Sequence, residues 1–135
     1  LCTANPNMKW IKNYRLCKDL IKEMAEYCKG KAIKFMLVTV DIDAYIPENE
    51  EKYKSIDTTF DANFFEDDLR NYATSLNIEY LGLQRIFKQA YENTGVPLHP
   101  RHWNYEGHKV VSNALTDKLK FIIVPPKRRV EDNHF

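Results

Sequence analysis

Apolar residues recur at helical spacing in four stretches of the chain. The first runs from Trp10 to Gly30, where apolar side chains follow one another at steps of three or four residues. It predicts a core-facing helix that ends at Gly30. The same spacing predicts helices after a capping Asp61, from Gln84 to about Tyr91, and from Tyr105 to about Phe121. The apolar positions of the first helix are Trp10, Tyr14, Cys17, Ile21, Met24 and Cys28.

Two apolar, β-rich runs lie between these helices, at residues 33–40 and 78–83. The first suits a strand that is buried on both faces, as in a parallel sheet. Asp41 and Asp43 follow it, at the edge where open α/β sheets place their ligand crevice. Either carboxylate faces a site there, or both are ordinary turn aspartates.

The predicted order of helix, strand, helix, strand, helix and helix corresponds to half of a doubly wound α/β unit. Two parallel strands do not usually form an independently stable sheet. We therefore expect further strands from outside this segment, or from a second copy of the chain.

The remaining segments carry weaker signals. Residues 44–60 predict a long polar loop, and Asp67 and Asp68 are predicted to face solvent. Residues 122–135 predict a polar, basic tail containing the run 127–129 (KRR), which is either a solvated terminus or a nuclear or nucleic-acid signal.

Composition narrows the function classes. The 135 residues are 44% hydrophobic, which suits one globular domain, and 20 basic against 19 acidic residues give no electrostatic case for nucleic acid or an anionic membrane. No apolar run is long enough to span a bilayer, and we expect no signal peptide at the start of the chain. The chain begins at Leu1, as we expect of an excised piece or a processed product. Cys2, Cys17 and Cys28 lack metal-ligand spacing, and Cys17 and Cys28 are predicted to be buried thiols.

The stretch 98–108 (LHPRHWNYEGH) concentrates three of the four histidines. Asn104 is a candidate N-cap for the last helix, so His102 stands just ahead of a positive helix end. Gly107 falls inside the first helical turn, where a glycine indicates the close approach of another backbone or of a substrate.

Three interpretations of this stretch compete. His102 is a general base, since an imidazole titrates near neutrality. Alternatively, His99, His102 and His108 bind a metal, although their spacing is not a zinc pattern and our prediction is that there is no metal and no cofactor. Finally, His102 and Asn104 only hold the loop and cap the helix.

The segment His102-Trp103-Asn104-x-x-Gly107-His108, followed by a small and apolar helix, resembles the last conserved block of the SGNH/GDSL hydrolases. The likeness is strongest to the branch related to bacterial acyltransferase-associated and polysaccharide O-acetyl-modifying proteins. The resemblance implies that His102 is the general base for a serine. The aspartate that normally precedes this histidine by two or three residues is replaced here by Pro100 and His99. The Gly-Asp-Ser block of the family is absent from the sequence.

The resemblance implies a flavodoxin-like, three-layer α/β/α fold, of which residues 1–121 form the C-terminal part and 122–135 the tail. It implies an esterase or acyl-transferring hydrolase whose serine lies upstream, acting on a small ester or an acylated glycan. His99, Asp41, Asp43 and Trp103 would orient the base or line the site, and Asn104, Gly107 and His108 would cap it. The alternative is an inactive module of the same fold that binds a glycan or a protein. The sequence does not predict a cellular compartment. An extracytoplasmic or membrane-associated location is possible through upstream segments.

Overall fold

A computed structural model describes residues 2–123, without the side chains of Phe121 and Ile123. These residues form a mixed α/β structure that is mostly helical and contains a small parallel sheet of two strands. In chain order the elements are α1 (Met8–Gly30), β1 (Met36–Thr39), a 3-10 turn (Asp43–Tyr45), α2 (Pro47–Ile56), α3 (Phe64–Ser75), β2 (Glu79–Gly82), α4 (Gln84–Thr94) and α5 (Tyr105–Ile123).

The four predicted helices are confirmed as α1, α3, α4 and α5. The side chain of Asn7 accepts the N–H of Lys9 and so caps α1. Gly95 ends α4 with a φ of +67°, a left-handed conformation that favours glycine. The helix α5 continues to Ile123, two residues past the predicted domain boundary, and the rest of the predicted tail lies outside the described residues.

β1 and β2 pair in parallel, with Met36 opposite Glu79 and Thr39 opposite Gly82. The predicted parallel pairing is confirmed, but the prediction that the first strand is buried on both faces is wrong. Val38 is 36% exposed and Val40 is 63% exposed. The reason is that β2 is the only strand that pairs with β1 within the described residues, so one edge and part of one face stay uncovered.

The predicted long loop of residues 44–60 is also wrong, because most of it is helical. Pro47 begins α2 at the position where a missing N–H costs nothing, and Glu48 and Glu50 lie in the first turn, where the helix dipole favours acidic side chains. Tyr45, just before this helix, is fully buried. The helix lacks an apolar face, since none of its residues is buried, and this is why periodicity missed it.

The apolar stripe of α1 packs only in part. Ile21 and the neighbouring Ala25 are buried, whereas Trp10, Met24 and Cys17 are exposed. The prediction of a buried thiol is therefore wrong for Cys17.

The polar predictions around α3 need two corrections. Asp68 accepts hydrogen bonds from Tyr14 and Lys18 and so joins α3 to α1, while Asp67 pairs with Arg85 of α4. Neither aspartate simply faces solvent. Asp61 does not cap α3, which begins at Phe64, but accepts the N–H of Asn63 in the turn before it.

The buried apolar cluster lies between the 3-10 turn, α4 and α5, and it consists of Tyr45, Leu83, Phe87, Leu98 and Val111. Because Leu98 belongs to this cluster, the loop between α4 and α5 is held against the segment that follows β1. None of the helices in residues 2–123 has the length and apolarity that crossing a bilayer requires.

Candidate functional site

A buried carboxylate organises the site at the carboxyl end of β1. The side chain of Asp41 is fully buried. Its Oδ2 lies 2.7 Å from Nδ1 of His99, and its Oδ1 accepts the indole N–H of Trp103 at 2.9 Å. A carboxylate can only accept, so Nδ1 of His99 carries a proton. In the neutral ring the second nitrogen, Nε2, then has a lone pair, and the side chain is 27% exposed.

Two further contacts fix the loop that carries His99. The buried hydroxyl of Tyr45 accepts the backbone N–H groups of Leu98 at 2.9 Å and of His99 at 2.8 Å. Asn104 donates its amide N–H to the Pro97 carbonyl at 2.8 Å. The backbone on both sides of His99 is therefore anchored, which limits the directions in which its ring can point.

The start of α5 closes the site from the other side. The side-chain oxygen of Asn104 accepts the N–H of Gly107 at 2.9 Å, the geometry of an N-cap. A Cβ on Gly107 would lie 2.5 Å from the carbonyl oxygen of Leu98, so the close backbone approach predicted for this glycine is confirmed. The indole of Trp103 packs edge-on against the rings of His99 and His108, with centroids 6.3 and 5.8 Å apart.

The other candidate residues lie apart from this network. His102 is exposed, and its ring makes no hydrogen bond to any described residue. Asp43 is also exposed and accepts the hydroxyl of Tyr53 at 2.8 Å, a hydrogen bond that raises the pKa of Tyr53 above its ordinary value. The structure thus brings Asp41, His99 and Trp103 together, while the role of His102 as general base stays a prediction.

Sequence patterns missed two residues that support the site. Tyr45 fell in the stretch predicted as a loop, and only its aromatic ring between the apolar Ala44 and Ile46 hinted at burial. Gln84 accepts the N–H of Ile42 through Oε1 at 2.8 Å and so holds the backbone directly after Asp41. Its buried Nε2 has no hydrogen-bond partner among the described residues.

An aspartate that orients a histidine can make the free ring nitrogen a general base. Within residues 2–123, no hydroxyl makes a hydrogen bond to the imidazole ring of His99, whose partner is Asp41. The hydroxyls of Ser55 and Ser75 bind backbone carbonyls of their own helices, and Ser112 is exposed on α5. The same part of the chain holds no cluster of three or more His, Cys, Asp or Glu side chains arranged for a metal.

Comparisons with known proteins gave no match to this chain, whether with family models, curated proteins or solved structures.

Proposed function

We propose that this chain carries the general-base half of an SGNH-type site that hydrolyses an ester or transfers its acyl group. In this proposal the chain is the C-terminal part of a flavodoxin-like, three-layer domain. Asp41 orients His99, and a serine from a segment outside this chain is the nucleophile. The observation that carries the proposal is the hydrogen bond between the buried Asp41 and Nδ1 of His99.

The proposed reaction uses the free nitrogen of His99 twice. Nε2 takes the proton of the serine hydroxyl as its oxygen attacks the ester carbonyl, which forms a tetrahedral intermediate. The imidazolium then returns the proton to the leaving alcohol, and the acyl group stays on the serine. The oxygen of water or of an acceptor hydroxyl then attacks the acyl carbon, while Nε2 takes its proton. The serine oxygen leaves and takes that proton back from the imidazolium, which releases the acyl group. Asp41 stabilises the imidazolium through its negative charge and keeps the required tautomer.

Placing the base at His99 departs from the resemblance, which assigns it to His102. His99 stands where the family normally has the aspartate, three residues before the base. The geometry favours His99 because it has an orienting carboxylate, whereas the ring of His102 has no partner among the described residues. An unoriented imidazole loses most of the benefit that a fixed tautomer gives.

Hydrolysis of 4-nitrophenyl acetate tests the proposal without a serine, because this activated ester reacts with water and a base. We expect the 135-residue chain to hydrolyse it at least about tenfold faster than free imidazole at equal concentration, a modest share of what a positioned base contributes. His99→Gln should remove this excess, whereas the matched His102→Gln should remove no more than the rate of one free imidazole. We expect neither the wild-type chain nor these two variants to hydrolyse unactivated acetyl esters.

The outcomes separate the hypotheses. Loss of the excess rate in His102→Gln alone would move the base to the position that the resemblance implies. A rate no higher than free imidazole would contradict a general-base site and favour the binding module. That second candidate is supported by Tyr105, which is 81% exposed at the start of α5 and offers a flat ring for a glycan. Binding of acetylated oligosaccharides without turnover, weakened by Tyr105→Ala, would then be the expected result.

A further inference from the structure

The nitrogen Nε2 of His99 has no hydrogen-bond partner within residues 2–123. The ring is bound through its other nitrogen, Nδ1, which lies 2.7 Å from Oδ2 of the buried Asp41. The side chain of His99 is 27% exposed, and the hydroxyl of Tyr45 fixes the backbone from which the ring projects. In the neutral ring, contacts on the opposite side therefore hold the lone pair of Nε2 in one direction.

A lone pair of this kind has two chemical uses. It can take a proton from a nucleophile, or it can attack a carbonyl carbon itself, since histidine is one of the side chains that form covalent intermediates. The first use needs a hydroxyl group beside the ring, and no hydroxyl of residues 2–123 bonds to it. The second use needs only the ring and the substrate, and each group that does not have to be positioned lowers the entropic cost of the reaction. The contacts of this part of the chain thus favour the second use.

We propose that His99 is itself a nucleophile in this chain, and that its Nε2 takes the acyl group of an activated ester and passes it to water. Activated esters are those whose leaving group is a weak base, such as an aryl oxide. The inference rests on the orientation of His99 that the proposed function also uses, but it does not need a serine from outside the chain.

The reaction has two steps. The lone pair of Nε2 forms a bond to the carbonyl carbon, and the tetrahedral intermediate expels the aryl oxide with the electron pair of the broken C–O bond. The oxygen of water then attacks the acyl carbon, the electron pair of the C–N bond returns to Nε2, and the surplus proton of the water goes to the solvent. Because the attacking nitrogen carries no proton, the ring cannot protonate the leaving group. This restricts the substrates to esters whose leaving group departs as an anion.

Asp41 distinguishes His99 from the other histidine of the loop, His102. Acylation leaves a positive charge on the ring, and the buried carboxylate of Asp41 stabilises this charge through the hydrogen bond to Nδ1. His102 is exposed, but its ring makes no hydrogen bond to any described residue. We therefore expect the acyl group on His99, although His102 is the more accessible of the two rings.

The reaction of the full chain with 4-nitrophenyl trimethylacetate at about pH 8 tests the inference. An ordinary imidazole is neutral at this pH. The bulky acyl group slows the attack of water, so the acylated ring accumulates. We expect a burst of 4-nitrophenolate and a mass increase of one trimethylacetyl group, which peptide mapping should locate on His99 at a level at least about tenfold above His102. Hydroxylamine should remove an acyl group from histidine but not from lysine.

Variants of two aspartates separate nucleophilic attack from a structural role of the site. In Asp41→Asn the amide oxygen stays with Trp103 and the amide nitrogen faces Nδ1, so the ring proton moves to Nε2 and removes its lone pair. We expect Asp41→Asn to reduce acylation of His99 at least about tenfold. Asp43→Asn should keep it, because Asp43 is exposed and bonds to Tyr53 instead of His99. Circular dichroism checks that both variants are folded.

Rates in water and in heavy water distinguish failure of this inference from failure of the proposed function. Nucleophilic attack moves no proton in its first step, so 4-nitrophenolate should be released at equal rates in both solvents. An excess rate that is slower in heavy water, without an acyl group on His99, would overturn the nucleophile and leave the general base in place. Equal labelling of His99 and His102 would overturn it too. A rate no higher than that of free imidazole would contradict both proposals.

Discussion

Replacing Asp41 by asparagine changes one oxygen of the buried carboxylate into an amide N–H₂ group. The indole of Trp103 can only donate, so the remaining oxygen of asparagine must face Trp103. The amide nitrogen then faces Nδ1 of His99, where two N–H groups would oppose each other. The ring avoids this by moving its proton to Nε2. Asp41→Asn therefore turns the exposed nitrogen of His99 from an acceptor into a donor.

The cost to stability follows from the two bonds. Hydrogen bonds to a charged group contribute about 1.5–3 kcal/mol each, against about 1 kcal/mol for neutral ones. Asparagine keeps both contacts as neutral bonds, and removal of the buried charge recovers part of its desolvation cost. We expect a net loss of about 2 kcal/mol in the free energy of unfolding. For a domain of this length that corresponds to a Tm lower by about 7 °C.

Two measurements check this prediction. Thermal unfolding followed by circular dichroism gives the change in Tm, and long-range ¹H–¹⁵N NMR spectra of the imidazole rings show which nitrogen of His99 carries the proton. Asp43→Asn is the matched control, because Asp43 is exposed and asparagine can still accept the hydroxyl of Tyr53. It should change neither quantity. A proton that stays on Nδ1 of His99 in Asp41→Asn would refute the reasoning.

Two further variants test the packing around the site and between the helices. Burial raises the pKa of Asp68, but hydrogen bonds led by that of Tyr14 outweigh it, so the pKa lies below its ordinary value. Folding thus favours the charged form of Asp68. After solvent screening, Asp68→Asn should lower the free energy of unfolding by about 1 kcal/mol at pH 7. This difference should fade as the pH falls below about 4 and through the folded-state pKa. Urea unfolding at several pH values measures this, and a difference independent of pH would contradict it. Gly107→Ala should lower the free energy of unfolding by about 1–3 kcal/mol, because the added Cβ would overlap the Leu98 carbonyl. The control Gly30→Ala should cost nothing, since no atom lies within 4 Å of its added Cβ. Equal effects of the two variants on Tm would contradict the packing argument.

Local signals in the sequence predicted the elements that depend on neighbouring residues. Apolar spacing located α1, α3, α4 and α5, and the two β-rich runs predicted a parallel pair. Asn104 and Gly107 were identified as a cap and a close approach from three residues of context. Each of these features is decided within one or two helical turns, so a single sequence contains what is needed.

Features that depend on contacts between distant segments were not predictable in the same way. Asp41 and His99 are 58 residues apart, and nothing local distinguishes Asp41 from Asp43. Only the fold decides that one is buried and the other exposed. The prediction that the apolar positions of α1 all face the core was wrong for a related reason. Periodicity shows which side chains share a face, but not whether another element covers that face.

The proposed site depends on contacts that this chain supplies by itself. Asp41 is held by its bonds to His99 and Trp103, and the next peptide is held by Gln84. Tyr45 fixes the histidine loop from the same segment. All these bonds lie beyond the end of β1 and join residues of this chain, so the orientation of His99 does not require a second copy.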